Sequence, residues 1–164
     1  MISIRPATPN DVPAISAIYN QAILTTDATF DTEPRTLTEH QAWFEEQDDQ
    51  HPVLVAEVDG EVVGWASLSR YSPRRAYDRT AEFSIYVEEA SRNLGIGKQL
   101  IGATLEAGAK TGLRAVLARV TTGNDVSLRM HEQAGFKQVG IMKKVGFKFD
   151  RELDVCMMQY IYGD

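Results

Sequence analysis

The sequence predicts a single mixed α/β domain over residues 1–164, and three observations carry that prediction. Strand-like and helix-like segments alternate along the chain without a linker, a repeat or a low-complexity stretch. Asp59-Gly60 separates two apolar runs, the dipeptide that suits a type I′ hairpin turn. A glycine-containing turn, Arg92 to Gly97, joins an alternating strand to an amphipathic helix.

Taken in order, Met1–Pro6 reads as a short strand. Asn10 is placed to cap a helix carrying Ile15, Ile18 and Ala22, with Pro13 in its first turn. Thr38 and Gln41 have capping-box spacing for a second helix that contains Trp43 and Phe44. Val53–Ala56 and Val62–Ala66 form the hairpin around Asp59-Gly60. Residues 72–80 are a polar loop with Pro73, Arg74 and Arg75. In the strand Ala81–Val87, residues Ala81, Phe83, Ile85 and Val87 face one way and Glu82, Ser84 and Tyr86 the other. The following helix carries Ile96, Leu100, Ala103 and Ala107 at steps of four, three and four. Ala115–Ala118 is a buried strand, and Ser127–Ala134 is a helix closed by Gly135. Strands near Lys137–Met142 and Leu153–Tyr160 complete the domain, leaving β-hairpins at both ends.

Composition narrows the partners. The net charge is −6 and no run of Lys or Arg makes a basic stripe, which argues against nucleic acid and against an anionic membrane surface. A small molecule or a protein is the expected partner. Cys156 is the one cysteine, so no intrachain disulfide forms, and its place between Val155 and Met157 reads as a buried strand position. No signal peptide or membrane-length apolar stretch is visible, so the expected location is the cytoplasm. The three histidines lack metal-ligand spacing: His40 falls on a predicted surface helix and His51 in a loop, and no metal is expected.

Gly95-Ile96-Gly97 at a strand-to-helix junction suggests a phosphate site, since converging backbone N–H groups and the helix N-terminus both favour an anion. A dinucleotide fingerprint needs a third glycine where Leu100 stands. A P-loop needs glycine in place of Arg92 and Ser or Thr in place of Gln99. What does fit Arg92-Asn93-Leu94-Gly95-Ile96-Gly97 is the R/Q-x-x-G-x-G/A turn of GNAT acetyltransferases.

The resemblance extends over nearly the whole chain, and within that superfamily it is to the phosphinothricin and methionine sulfoximine N-acetyltransferases. Thr29–Pro34 resembles the family's first substrate-side loop. Arg74, Ala76-Tyr77-Asp78, Thr80-Ala81-Glu82 and Ile85-Tyr86-Val87 resemble its second loop and central strand. Asn124, Ser127, His131 and Gly135-Phe136 match the helix after the fifth strand, and Val145–Phe149 with Asp154 resemble the C-terminal hairpin. Two departures, Arg79 where relatives often carry histidine or tryptophan and Ser72 where some carry arginine, leave the substrate open.

The resemblance implies a GNAT fold, a mixed and strongly twisted sheet whose central parallel strands splay into a cleft for acetyl-CoA. Ile85, Tyr86 and Val87 would face the pantetheine arm, residues Arg92, Asn93, Leu94, Gly95, Ile96, Gly97 and Lys98 would hold the pyrophosphate, and Asn124 with Ser127 would line the far side. A backbone N–H near Ile85 would stabilise the oxyanion. Alone, a glutamate on a sheet face reads as solvated or ion-paired; the family match makes Glu82 the expected general base, held by the cleft nearer to the basicity that role needs. His131 stands where many relatives have a tyrosine that protonates the departing thiolate, and it either does so or merely packs. Arg74 is expected to read a substrate carboxylate, beside Arg75, Ala76, Tyr77 and Phe30 around the acceptor. The expected function is acetyl-CoA-dependent N-acetylation of a small amino acid or analogue, with resistance to a toxic analogue as one role and a homodimer as the usual assembly. The alternatives are a peptide or protein N-acetyltransferase and a non-catalytic CoA-binding sensor.

Overall fold

In a computed structural model that describes residues 1–163, Asp59 and Gly60 have φ of 53° and 82°, both positive as the hairpin turn requires. The strands it joins, β2 (Val53–Val58) and β3 (Glu61–Arg70), lie inside a seven-stranded sheet. The remaining strands are β1 (Ile2–Pro6), β4 (Thr80–Val87), β5 (Ala115–Thr121), β6 (Lys137–Lys148) and β7 (Arg151–Ile161). Their spatial order is β1-β2-β3-β4-β5-β7-β6, and among the described residues only the β4–β5 pair is parallel.

Four helices cover the sheet: α1 (Val12–Thr25), α2 (Leu37–Glu45), α3 (Ile96–Ala109) and α4 (Asp125–Gln133). The period of two in the strands decides which helix meets which residues. Leu54, Ala56, Ala66, Leu68, Ala81 and Phe83 pack with Ile96, Leu100, Ile101 and Leu105 of α3. Val53, Val55 and Trp65 pack on the opposite face with Ile15 and Ile18 of α1. No helix among the described residues is long and apolar enough to cross a membrane.

Several element ends differ from the sequence reading. Thr8, not Asn10, opens the first helical segment: Asp11 Oδ2 accepts from Thr8 N at 2.7 Å, and a 3₁₀ turn at Pro9–Asp11 leads into α1. The capping box of α2 is Thr36 with Glu39, each side chain meeting the other's backbone N–H at 3.1 Å, so Thr38 lies inside the helix. His40 is not on a surface. It is 3% exposed, with Nδ1 2.7 Å from Ser16 Oγ, because α2 turns His40, Trp43 and Phe44 toward α1. His51 is also buried, Nδ1 meeting Asp48 Oδ1 at 2.6 Å.

β5 runs on to Thr121 and α4 begins at Asp125, both beyond the apolar cores that suggested them. β6 and β7 form a much longer hairpin than expected. Register shifts at Gln138/Gly140 and Met142/Gly146 break the alternation, so the sequence pattern ends where the strand does not. At the second bulge Lys144 has φ 56°, and its N–H donates to Asp154 Oδ1 at 2.7 Å. Gly135 closes α4 with φ 109°, and Cys156 is buried in β7, where desolvation pushes its thiol pKa up.

Candidate active site

β4 and β5 pair at only three positions, Thr80↔Ala115, Ala81↔Val116 and Glu82↔Leu117. Beyond them each strand follows its antiparallel partner: β4 stays on β3 through Val87, and β5 stays on β7 through Thr121. The two parallel strands therefore part, and from Phe83 onward the β5-facing edge of β4 offers backbone N–H and C=O groups to a gap. The gap is the floor of a cleft of about 1330 Å³.

One end of this cleft suits an anion. Asn93 and Gly95 take φ of 66° and 83°, which turns the 92–97 segment under the N-terminus of α3. A Cβ on Gly97 would stand 2.7 Å from Met130 Sδ, so glycine there lets α3 approach α4. Arg92 and Lys98 line the cleft and supply formal charge, and Arg92 Nε donates to Val87 O at 3.2 Å. Asn124 caps α4, its side chain accepting from Ser127 N at 3.3 Å.

The other end carries titratable groups. Glu82 occupies the last paired position of β4, at the vertex of the opening, with its side chain 28% exposed and Oε2 3.1 Å from Arg119 Nη1. Tyr19 donates to Asp31 Oδ2 and lies 2.9 Å from Thr29 Oγ1; burial and the Asp31 carboxylate push its pKa up to about 12. Burial raises Tyr86 as well, so both phenols are neutral at pH 7. His131 is 3% exposed, edge-on to Phe83 and Phe136 with ring centroids 5.6 and 5.1 Å away. Its Nδ1 lies 2.7 Å from Ser127 O. A carbonyl oxygen only accepts, so Nδ1 carries the hydrogen and Nε2 keeps the lone pair. Burial lowers the pKa of His131, with the Ser127 hydrogen bond opposing it, and the ring is neutral at pH 7.

A roof joins residues 26–31 to the last hairpin. Lys148 is buried and its Nζ donates to Thr29 O at 2.8 Å, Thr121 Oγ1 donates to Asp27 O at 2.7 Å, and Arg151 pairs with Asp27. Phe30 lies so close to Gly146 that a Cβ there would meet its ring at 2.3 Å.

Of the residues singled out in the sequence, Glu82, His131, Ile85, Tyr86, Val87, Arg92, Asn93, Gly95, Ile96, Gly97, Lys98, Asn124, Ser127 and Phe30 all line this cleft. Leu94 does not; its side chain is exposed on the outside of the turn. Arg74, Arg75, Ala76 and Tyr77 are likewise absent from the lining. Residues 75–77 form an exposed 3₁₀ turn in which Tyr77 packs edge-on to Tyr71. Arg119 and Tyr19 were missed. Arg119 had a signal, a lone cation in the otherwise apolar-leaning run Ala115–Thr121; Tyr19 had none, since nothing in the local pattern sets it apart from its helical neighbours. Among the described residues no group of three or more His, Cys, Asp or Glu side chains is placed to hold a metal.

The model of the acetyltransferase (GNAT) family matches residues 15–136. A Pseudomonas aeruginosa protein named L-methionine sulfoximine/L-methionine sulfone acetyltransferase is 40% identical over 159 residues, covering 96% of this chain and 92% of that one. Among solved structures, a GNAT superfamily phosphinothricin acetyltransferase from Sinorhizobium meliloti in complex with AcCoA superposes with a TM-score of 0.94 at 31% identity, covering 98% of this chain and 88% of that one. A ribosomal-protein-alanine N-acetyltransferase from Brucella melitensis superposes with a TM-score of 0.93 at 38% identity, covering 97% and 99%. A parallel pair that parts at a glutamate, a turn that suits an anion at one end and near full-length similarity agree: the chain belongs to the acetyltransferase (GNAT) family and is an N-acetyltransferase.

Proposed function

We propose that this enzyme transfers the acetyl group of acetyl-CoA directly to the amino group of a small amino acid of the methionine sulfoximine or phosphinothricin class. The observation that carries this reading is the position of Glu82 where β4 and β5 part, so that a donor threaded between the strands ends beside a carboxylate. The fit to acetyl-CoA is supported by the open edge of β4 and by the 92–98 turn with Arg92 and Lys98. Acetyl-CoA supplies an activated acyl group whose carbonyl accepts a nucleophile and whose sulfur leaves.

The chain's residues handle two protons. Glu82 takes the first from the substrate ammonium, directly or through a water, freeing the nitrogen lone pair. Nε2 of neutral His131 takes the second as the new N–C bond forms and passes it to the departing sulfur, so no net proton stays on the ring. A β4 backbone N–H near Ile85 stabilises the carbonyl oxygen as it gains charge.

The test is thiol release from acetyl-CoA against phosphinothricin, methionine sulfoximine, methionine sulfone, ordinary amino acids and short peptides. Turnover is expected for the analogues and not for peptides. The peptide reading has a counterpart in the ribosomal-protein-alanine N-acetyltransferase from Brucella melitensis; the roof over the acceptor end, strapped by Lys148 and Arg151, supports a small acceptor instead. Turnover of peptides alone would overturn the substrate class.

The enzyme acts as a homodimer in this reading. β6 is an edge strand with Val139, Ile141, Val145 and Phe147 exposed, and Phe149 exposed beside it, a surface that a second copy would cover. Arg74 then reads an acceptor carboxylate only when a second chain brings its loop over the cleft. Light scattering should give twice the chain mass, and Phe147→Glu should halve it; a monomeric wild type ends this proposal.

A further inference from the structure

Residues 27–31 cross the acceptor end of the cleft without regular secondary structure, and among the described residues they make no backbone–backbone hydrogen bond. With no ladder to hold it, such a segment takes its position from side-chain anchors. On the helix side, Tyr19 meets Thr29 and Asp31, and Arg35 lies 2.9 Å from Asp31. On the sheet side, Thr121 Oγ1 and Lys148 Nζ donate to Asp27 O and Thr29 O, and Arg151 pairs with Asp27. Phe30 stands between the pinned residues Thr29 and Asp31, and it lines the cleft.

Lys148 differs from the other anchors. It is 5% exposed, and a lysine is seldom buried so far, because burial costs rotamer freedom and hydration of the ammonium. Arg151, by contrast, is 60% exposed, and an exposed ion pair holds little. Lys148 Nζ meets the Thr29 carbonyl at 2.8 Å and stands 5.1 Å from the centre of the Phe149 ring. Burial pushes its pKa down and the Asp27 and Asp31 carboxylates oppose that. Charged or neutral, Nζ keeps an N–H for Thr29 O, so the bond does not switch with pH. Two residues earlier on β6, and so on the same face of the strand, is Gly146, against which the Phe30 ring packs. Thr29 and Phe30, adjacent in the chain, therefore meet Lys148 and Gly146 as a two-point clasp. The carbonyl takes the lysine, and the ring takes the space that a Cβ would fill.

We infer that Lys148 is a specificity-determining positioning residue. By holding Thr29 it keeps the Phe30 ring on Gly146, and the position of that ring sets the headroom at the acceptor end. A free amino acid fits beneath it; an acceptor whose carboxyl continues into a peptide does not. The inference rests on the small-acceptor reading above and deepens it by naming the contact that limits acceptor size. Lys148 is absent from the lining of the cleft and acts through Phe30. Tyr19, Arg35 and Thr121 remain in place when Lys148 is replaced, so its loss loosens the roof and leaves the domain folded.

The test compares methionine sulfone with its dipeptide to glycine, which has the same amine and side chain and a longer carboxyl end, in wild type and Lys148→Met. Methionine keeps an unbranched stem and lacks the donor. The ratio of kcat/KM for the amino acid to that for the dipeptide should fall at least about tenfold, while KM for acetyl-CoA does not move. Phe30→Ala should lower the ratio as well, and adding Lys148→Met to it should change little more, since the lysine acts through the ring. An unchanged ratio, an equal fall for both acceptors, or full additivity with Phe30→Ala overturns the inference and leaves Lys148 structural. If Lys148→Met does not fold, Gly146→Ala takes its place: the new Cβ would stand 2.3 Å from the Phe30 ring, and the ratio must fall by displacement of that ring. The small-acceptor reading is decided by the wild-type ratio, the inference by the change in that ratio. Where neither acceptor is turned over, that reading fails, and hydrogen exchange at the Asp31 amide, which donates to Thr29 Oγ1 at 3.2 Å, decides the inference. Faster exchange in Lys148→Met supports a roof positioned by the lysine, and unchanged exchange overturns it.

Discussion

Glu82→Gln is expected to lower kcat by about 10²- to 10⁴-fold at pH 7, the usual contribution of a positioned general base, while leaving acetyl-CoA affinity unchanged. Glutamine keeps the size and shape of the side chain at the last paired position of β4, so the splay of the sheet is retained. What it loses is a lone pair basic enough to take a proton from an ammonium. The ion pair with Arg119 is lost too, but Arg119 is half exposed, and an exposed pair contributes only about 0–1 kcal/mol. The fall should therefore appear in kcat, with the unfolding midpoint and the calorimetric affinity for acetyl-CoA close to wild type. A kcat within twofold of wild type would remove Glu82 from the chemistry and leave it as Arg119's partner.

His131→Phe is expected to lower kcat by about 10²-fold and to remove the imidazole's contribution to the acid limb of the pH profile, leaving the part that Glu82 requires. The sign follows from the buried ring. Desolvation lowers the pKa of His131, so the neutral ring persists to lower pH than an ordinary histidine. The proposed relay needs the neutral ring, because only a free Nε2 lone pair accepts a proton. Wild-type kcat should thus be flat around neutrality and fall only at pH below the ordinary histidine range, as imidazolium forms. If His131 instead acted as an acid that starts out charged, kcat would rise over that interval. Phenylalanine preserves the contacts with Phe83 and Phe136, so an unchanged thermal midpoint with lost rate separates chemistry from packing. A wild-type rate and pH profile in this variant would leave the histidine structural.

Much of this protein was legible from local pattern. The Asp59-Gly60 turn, the alternation of β4 and the glycine turn before α3 each depend on residues adjacent in the chain, where backbone stereochemistry and side-chain direction leave few choices. Glu82's face, the anion end of the cleft and the burial of Cys156 followed from those same periods. Caps were less secure, because several polar residues near a helix start satisfy the same spacing. Thr36 with Glu39 and Thr38 with Gln41 differ only in which pair the packing of His40, Trp43 and Phe44 against α1 selects.

Tertiary structure alone decided what depends on strands remote in sequence. The pairing of Glu82 with Arg119 exists because β4 and β5 stay together for three residues and then follow different neighbours. The neutral tautomer of His131 comes from a carbonyl one turn earlier and from aromatic neighbours on β4 and after α4. Arg74 and Tyr77 lie close to Glu82 in sequence, yet their loop does not enter the lining of the cleft. Period and spacing are set by the local backbone, so a single sequence displays them; which polar atom meets which partner is set by chain crossings that no local pattern encodes.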